Sequence, residues 1–264
     1  MTIKYYHVDA FTSVPFAGNP AGVCLLDNWL EDALLQSIAA ENNLSETAFL
    51  VKVQDEYDLR WFTPEVEIDL CGHATLASAH VLFEEAGFPG NEIKFQTQSG
   101  QLIARRMDER IELNFPARPA VPCPIPPALV EGLGATPIEV FKSRDYLAVY
   151  ATELEVAALL PNMAKLQELS TLGVIATARG DTADFVSRFF APSAGVPEDP
   201  VTGSSHCTLI PFWSGRLHKH DLRAHQLSRR GGELYCRNLG PRVGIAGRAV
   251  TFLRGQLHLP SAPK

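Results

Sequence analysis

The sequence predicts an α+β fold of two pseudo-symmetric halves, each a curved, mostly antiparallel sheet wrapped around a central helix. Three observations lead there. The segment "CGHATLASAHVLFEEAG" carries Ala74, Leu76, Ala77, Ala79, Val81, Leu82 and Phe83, apolar positions that run nearly all round a helix. A helix apolar on every side is a buried one. Its small residues (Ala74, Ala77, Ser78, Ala79) favour strands closing around it over a helix packed on two sides only. Finally, Arg60-Trp61-Phe62-Thr63-Pro64 is echoed by Arg188-Phe189-Phe190-Ala191-Pro192. Each is followed, 8 and 11 residues after its proline, by a glycine opening an apolar helix, Gly72 and Gly203. An aromatic strand, a proline loop, a glycine and a buried helix in one order, twice, read as an internal duplication.

The elements follow in order. "IKYYHVDAF" alternates and is rich in aromatics, so it is a strand. "TSVPFAGNPAG" is a loop by its Pro, Gly and Asn, and "AGVCLL" a second strand. "NWLEDALLQSIAAENN" places Leu30, Leu34, Leu35 and Ile38 at helical spacing, with acidic residues near its start and Asn-Asn at its end. "SETAFLV" and "YDLRWFTP" are strands, and after the buried helix "EIKFQTQSGQLIARRMDERIELNFPA" reads as several antiparallel strands with a Ser-Gly turn. "RPAVPCPIPPALV" is a proline-rich linker. It divides the chain into residues 1–117 and 118–264, with the last strand free to return to the first half. In the second half "DYLAVY" and "RVGIAGRAVTFLRGQLHL" supply strands. Pro211 is expected to kink or end the helix that Gly203 opens.

Bulk properties narrow the function. The 264 residues are 46% hydrophobic and 20% charged, a globular balance with ample material for a core. A net charge of −7 argues against a nucleic-acid backbone as partner. It also leaves any anion site to be built from local donors. Five cysteines, at 24, 71, 123, 207 and 236, are odd in number and none is spaced C-x-x-C, which disfavours a disulfide framework or a structural zinc. Reduced thiols, an N-terminus without an apolar signal core, and no apolar run near the ~18 residues of a membrane span point to a cytoplasmic protein with no membrane partner.

The candidate chemistry sits at the two helix starts. Gly72-His73-Ala74 and Gly203-Ser204-Ser205 would present unpaired N–H groups and the helix dipole to a small carboxylate. Either alone reads as an ordinary N-cap; as a duplicated pair aimed at one cleft they read as an anion site. Glu46, at the mouth of "SETAFLV", shares a face with Ala48 and Leu50. If that face is buried, desolvation raises the carboxyl toward a pKa where it can take and give a proton. The pattern alone favours a strand-end glutamate turned to water. Cys71 reads as a small buried side chain, because a two-thiol mechanism would need a matching cysteine between Asp199 and Ser205, and there is none. His73 and Asp199 suit either a ligand contact or a cap. His218, His220 and His225, among Lys, Asp and Arg, read as a solvated loop and not a metal site.

The motifs "YYHVDAFTSVPFAGNPAGV", "LSETAFL", "RWFTPEVEIDLCGHATLASAHVLF", "SRFFAPSAGVPEDPVTGSSHCTL" and "RGGEL" resemble those of the PhzF (phenazine biosynthesis-like) family. The likeness covers most of the chain and keeps the motif order; residues 116 to 169 carry little of it. It implies a diaminopimelate epimerase-like fold with the active site between the halves, and an isomerase that shifts a proton on a small carboxylic acid without cofactor or metal. It places the catalytic acid/base on Glu46. Substrate binding falls on Asn19, Gly72, His73, Asp199, Gly203 and Ser204. Relatives are often dimers, so a homodimer is implied, although the sequence itself shows no interface stripe. The alternatives to test are a thiol-dependent epimerase or racemase using Cys71, and a non-catalytic carboxylate-binding or interaction module.

Overall fold

The structure, a computed structural model, describes residues 1–259. In chain order it runs β1 (Thr2–Ala10), β2 (Asn19–Leu26), α1 (Asp32–Asn42), β3 (Glu46–Val53), β4 (Glu56–Phe62), β5 (Glu67–Ile68) and α2 (Gly72–His80), which continues into a π-helical turn (Val81–Glu85). Then come β6 (Glu92–Thr97), β7 (Gly100–Met107), β8 (Arg110–Pro116), β9 (Val121–Pro122), α3 (Pro127–Leu133), β10 (Glu139–Lys142), β11 (Tyr146–Val149), α4 (Glu153–Ala157) and α5 (Met163–Gln167). The chain closes with β12 (Val174–Arg179), β13 (Phe185–Phe190), a 3-10 turn (Pro192–Ala194), α6 (Gly203–Leu217), β14 (Asp221–Gln226), β15 (Gly232–Asn238), β16 (Arg242–Gly247) and β17 (Ala249–His258). Two compact units result: Met1–Asn114 joined by the segment from Gly247 onward, and Phe115–Ala246.

Each unit repeats one order of strand pairings. In the first, β17–β1 and β1–β2 are antiparallel, β2–β3 parallel, β3–β4 antiparallel, β4–β6 parallel, and β6–β7 and β7–β8 antiparallel. In the second, β9–β10 and β10–β11 are antiparallel, β11–β12 parallel, β12–β13 antiparallel, β13–β14 parallel, and β14–β15 and β15–β16 antiparallel. The same succession twice is the duplication that the repeated motifs foretold.

The central helices are buried as their composition demands. Every residue from Gly72 to Ala79 of α2 is buried, and α2 packs on β1, β2, β3, β7 and β17. The opposite face of this sheet carries α1, where Leu35, Ile38 and Ala39 meet Cys24, Leu26, Phe49 and Val51. In the second unit α6 is the buried helix, and α3, α4 and α5 cover the other face through Leu129, Leu133, Val156 and Leu166.

The echoed motifs build one device twice. Arg60 donates to both carboxylate oxygens of Glu67, each at 2.7 Å, with its guanidinium 5.1 Å from the Phe62 ring. Arg188 donates to both oxygens of Glu198, at 2.8 and 3.0 Å, and lies 4.9 Å from the Phe190 ring. Bidentate forks of this kind are the strong, geometrically specific ion pairs. Glu67 precedes Gly72 by five residues, and Glu198 precedes Gly203 by five. Each fork therefore ties the loop that delivers a helix start.

One expectation is corrected: α6 does not end at Pro211 but runs through it to Leu217. Proline removes the N–H that would bond the carbonyl four residues back, here Cys207. That carbonyl instead accepts the backbone N–H of Arg118, at 2.8 Å. A residue of the proline-rich segment supplies the missing donor.

Candidate active site

In the first unit, Glu46 opens β3, whose residues Thr47 to Val51 are buried on both faces. Phe49 and Val51 point to α1. Alternation then turns Glu46, Ala48 and Leu50 to the α2 side. The Glu46 side chain is 13% exposed, and its Oε2 lies 3.1 Å from Nε2 of His73, the second residue of α2. The two atoms are at ion-pair distance but off the line of a hydrogen bond, and neither has another hydrogen-bond partner. The other ring nitrogen, Nδ1, is 3.1 Å from Nδ2 of Asn19 and 3.5 Å from Sγ of Cys71. Gly18 delivers Asn19: it sits at φ +65°, and a Cβ there would lie 2.1 Å from the Ala10 carbonyl oxygen. Cys71 holds the N-cap position of α2 without a side-chain cap bond.

Charge follows from this packing. Burial pushes the Cys71 thiol up to about 11, so at neutral pH it is uncharged. Burial also works to lower the His73 pKa, but Cys71 and Glu46 beside it more than offset this and hold it well above 6.5. Because the thiol keeps its proton at neutral pH, the Glu46 carboxylate is the partner that retains the imidazole's charge. Glu46, Cys71 and His73 also present donor atoms within 4.8 Å of one another. The ring turns Nε2 to Glu46 and Nδ1 to Cys71, so one ion could not take both contacts through a single nitrogen without rearrangement.

In the second unit, the N-cap residue of α6, Thr202, turns its hydroxyl to Asp199 Oδ2 at 2.5 Å and makes no side-chain cap bond of its own to the first-turn amides. Gln226 locks this loop: its Oε1 accepts the Thr202 N–H at 2.8 Å, and its Nε2 donates to the Asp199 carbonyl at 2.8 Å. Ser204, the second residue of α6, accepts a hydrogen bond from Arg144 Nη2 at 3.1 Å.

Among the residues expected to form the site, Asn19, Glu46, Gly72 and His73 come together in the first unit, and Asp199, Gly203 and Ser204 in the second. Sequence reasoning missed Arg144, Thr202 and Gln226, and the contact of Cys71 with His73. No local pattern marks Arg144, 60 residues from Ser204. His218 closes α6 in the left-handed conformation, whereas His225, expected in a solvated loop, is a part-buried residue of β14, 3.8 Å from Glu233. Those histidines form no metal-type cluster among the described residues.

The model of the phenazine biosynthesis-like family (PhzC-PhzF) matches residues 8–255. The chain belongs to this family. A Pseudomonas aeruginosa relative described as an uncharacterised isomerase is 53% identical, over 98% of this chain and all of its own. A crystal structure of a PhzF-family protein from Enterococcus faecalis is 47% identical, with a TM-score of 0.96 over 98% of this chain and all of that one. A predicted epimerase from P. aeruginosa shares the fold, with a TM-score of 0.76 at 20% identity over 98% of this chain and all of that one. As a phenazine biosynthesis-like protein the chain is an α+β enzyme of the isomerase class.

Proposed function

We propose that this enzyme moves a proton between two carbons of a small carboxylic acid, with Glu46 as the single acid/base. The carrying observation is the pair of buried atoms, Glu46 Oε2 and His73 Nε2, that lie 3.1 Å apart with no hydrogen-bond partner. Buried polar atoms call for a structural or catalytic explanation, and a carboxylate beside an imidazole at a helix start is suited to proton transfer. The Glu46 carboxylate takes the proton of a C–H bond whose electron pair stays on the substrate as an enolate. The resulting carboxylic acid then returns that proton to another carbon. Nothing is oxidised and no atom is gained, so the step calls for no cofactor. His73 stabilises the carboxylate before transfer. The Asn19 amide can turn either its N–H or its oxygen to Nδ1, which supports the ring in both proton states. Gly72, Gly203, Ser204 and Asp199 are read as binding the substrate, the glycines through backbone N–H groups that favour a carboxylate.

The test is a panel of small unsaturated carboxylic acids and amino acids in deuterium oxide, followed by proton NMR. Protein-dependent deuterium uptake is expected for at least one, and Glu46→Gln should slow it at least about 10²-fold. Exchange at the wild-type rate in that variant would overturn the assignment. The thiol reading has one favourable contact, Cys71 to His73. Against it stand the high thiol pKa and the matching position before Gly203, which is Thr202. Loss on Cys71→Ser with Glu46→Gln tolerated would support the thiol. Ligand binding with no exchange at all would support a binding module.

A further inference from the structure

We propose that Arg144 is a positioning residue for substrate binding: clamped by buried Asp145, it fixes Ser204 as a hydroxyl donor to the substrate's carboxylate. This rests on reading the start of α6 as a carboxylate site. Ser143 to Asp145 form the turn between β10 and β11. In a strand, neighbouring side chains point apart; in this turn Arg144 curls back on its neighbour. Nε lies 3.3 and 3.2 Å from the two Asp145 oxygens, and Nη2 lies 2.8 Å from Oδ2. The Asp145 side chain is 2% exposed, and a carboxylate that deep needs such a partner. The Thr171 hydroxyl donates to the Arg144 carbonyl at 3.0 Å, fixing the backbone as well.

The guanidinium held this way donates Nη2–H to Ser204 Oγ at 3.1 Å. A guanidinium only donates, so Ser204 is the acceptor and its own proton is left for another group. Beside it are the first-turn amides, to which Thr202 makes no side-chain cap bond.

The duplication supplies an independent argument. Phe49 pairs with Arg60 and Ala176 with Arg188, while Cys24 pairs with Phe49 and Ala148 with Ala176. Counting back from Cys24 and Ala148, Asn19 falls on Ser143, one residue from Arg144. In both units the segment entering this strand sends a polar side chain to the second residue of the central helix: Asn19 to His73, Arg144 to Ser204. In the first unit that contact supports the proposed acid/base pair. In the second it brings a fixed positive charge, which suits an anion.

Isothermal titration with malonate tests this on the full chain. Arg144→Met is combined with Asp145→Asn so that no buried charge is stranded. That double variant and Ser204→Ala should each weaken malonate binding roughly tenfold or more, the worth of a charge-assisted hydrogen bond. Adding Ser204→Ala to the double variant should cost no more than about a further threefold, because the residues act as one unit. Arg144→Lys, which keeps the charge but not the fork, should fall between. Unchanged thermal unfolding midpoints control for the fold. Wild-type affinity in the double variant, or losses that multiply, would overturn the inference alone. No malonate binding by the wild type would overturn the carboxylate reading of α6 along with it. The proton-shift reading fails separately, by absence of Glu46-dependent exchange.

Discussion

Two buried histidines should set the pH at which this protein is most stable, and His206 governs the acid side. It is fully buried in α6, with Nδ1 2.7 Å from the Thr202 carbonyl oxygen. That geometry places the proton of the neutral ring on Nδ1, which leaves Nε2 unprotonated, buried and without a hydrogen-bond partner, its ring 5.8 Å from that of Phe185. A second proton would have to enter apolar surroundings. Burial therefore lowers the pKa from 6.5 to about 4. With the folded pKa depressed, the unfolded chain binds a proton below pH 6.5 that the native ring refuses. Stability from this residue is thus complete above 6.5 and lost as pH falls to about 4. At about 1.4 kcal/mol per pH unit, that window is worth roughly 3 kcal/mol. The assay is urea unfolding of wild type and His206→Gln between pH 4 and 8. Glutamine keeps an N–H for Thr202 and does not titrate, and the carboxylates common to both proteins cancel in the difference. The stability gap between them should shift by roughly 3 kcal/mol in the variant's favour from pH 6.5 down to 4. Parallel curves would refute the reasoning. His73 acts with the opposite sign. Its folded pKa is raised, so its contribution is complete below 6.5 and lost as pH rises through the raised value. Glu46→Gln should flatten that alkaline limb.

Two further outcomes follow from backbone geometry. Arg118→Pro removes the N–H that satisfies the Cys207 carbonyl and should destabilise the protein by about 1–3 kcal/mol in urea; adding Pro211→Ala, which supplies the in-helix donor, should recover part of that loss. Gly18→Ala forces a side chain at φ +65° against the Ala10 carbonyl. It should cost about 1–3 kcal/mol by thermal unfolding and slow deuterium exchange by displacing Asn19; wild-type values on both counts would show that the loop adapts.

The parts of the fold legible in the sequence are those written in local pattern. The all-round apolarity from Ala74 to Phe83 announced a buried helix, and the paired arginine-aromatic-proline motifs announced the repeat. Alternation correctly put Glu46 on the Ala48 face but did not show that the strand is buried on both sides. That burial comes from the central place of β3, between β2 and β4 with helices on either face, which no single strand can encode. Arg144 was illegible for a related reason. Its fork depends on a turn folding one residue back on the next, and its contact with Ser204 joins that turn to the start of α6. The continuation of α6 through Pro211 depends likewise on a donor far off in sequence. Cys71 is buried as its surroundings suggested, yet its approach to His73 needed the helix start to be placed first.

The duplication also bears on the single acid of the proposed reaction. Counted from the arginine anchors, Glu46 corresponds to Gly173, three residues before Ala176 as Glu46 is three before Phe49. A Cβ at Gly173 would meet the Phe189 ring at 2.3 Å and the Phe190 carbonyl oxygen at 3.1 Å, so that position has no space for a carboxylate. The repeat thus preserves the Arg–Glu fork and the glycine-led helix start in both units while their chemistry diverges: Glu46 and His73 in one, Ser204 with its clamped arginine in the other. Inversion at carbon ordinarily calls for proton-transfer groups on both faces of the substrate, whereas a shift along one face uses the same group to remove and return the proton. Under the proposed function, the strand mouth of the first unit carries a carboxylate and the equivalent mouth of the second, at Gly173, does not, which agrees with a shift along one face.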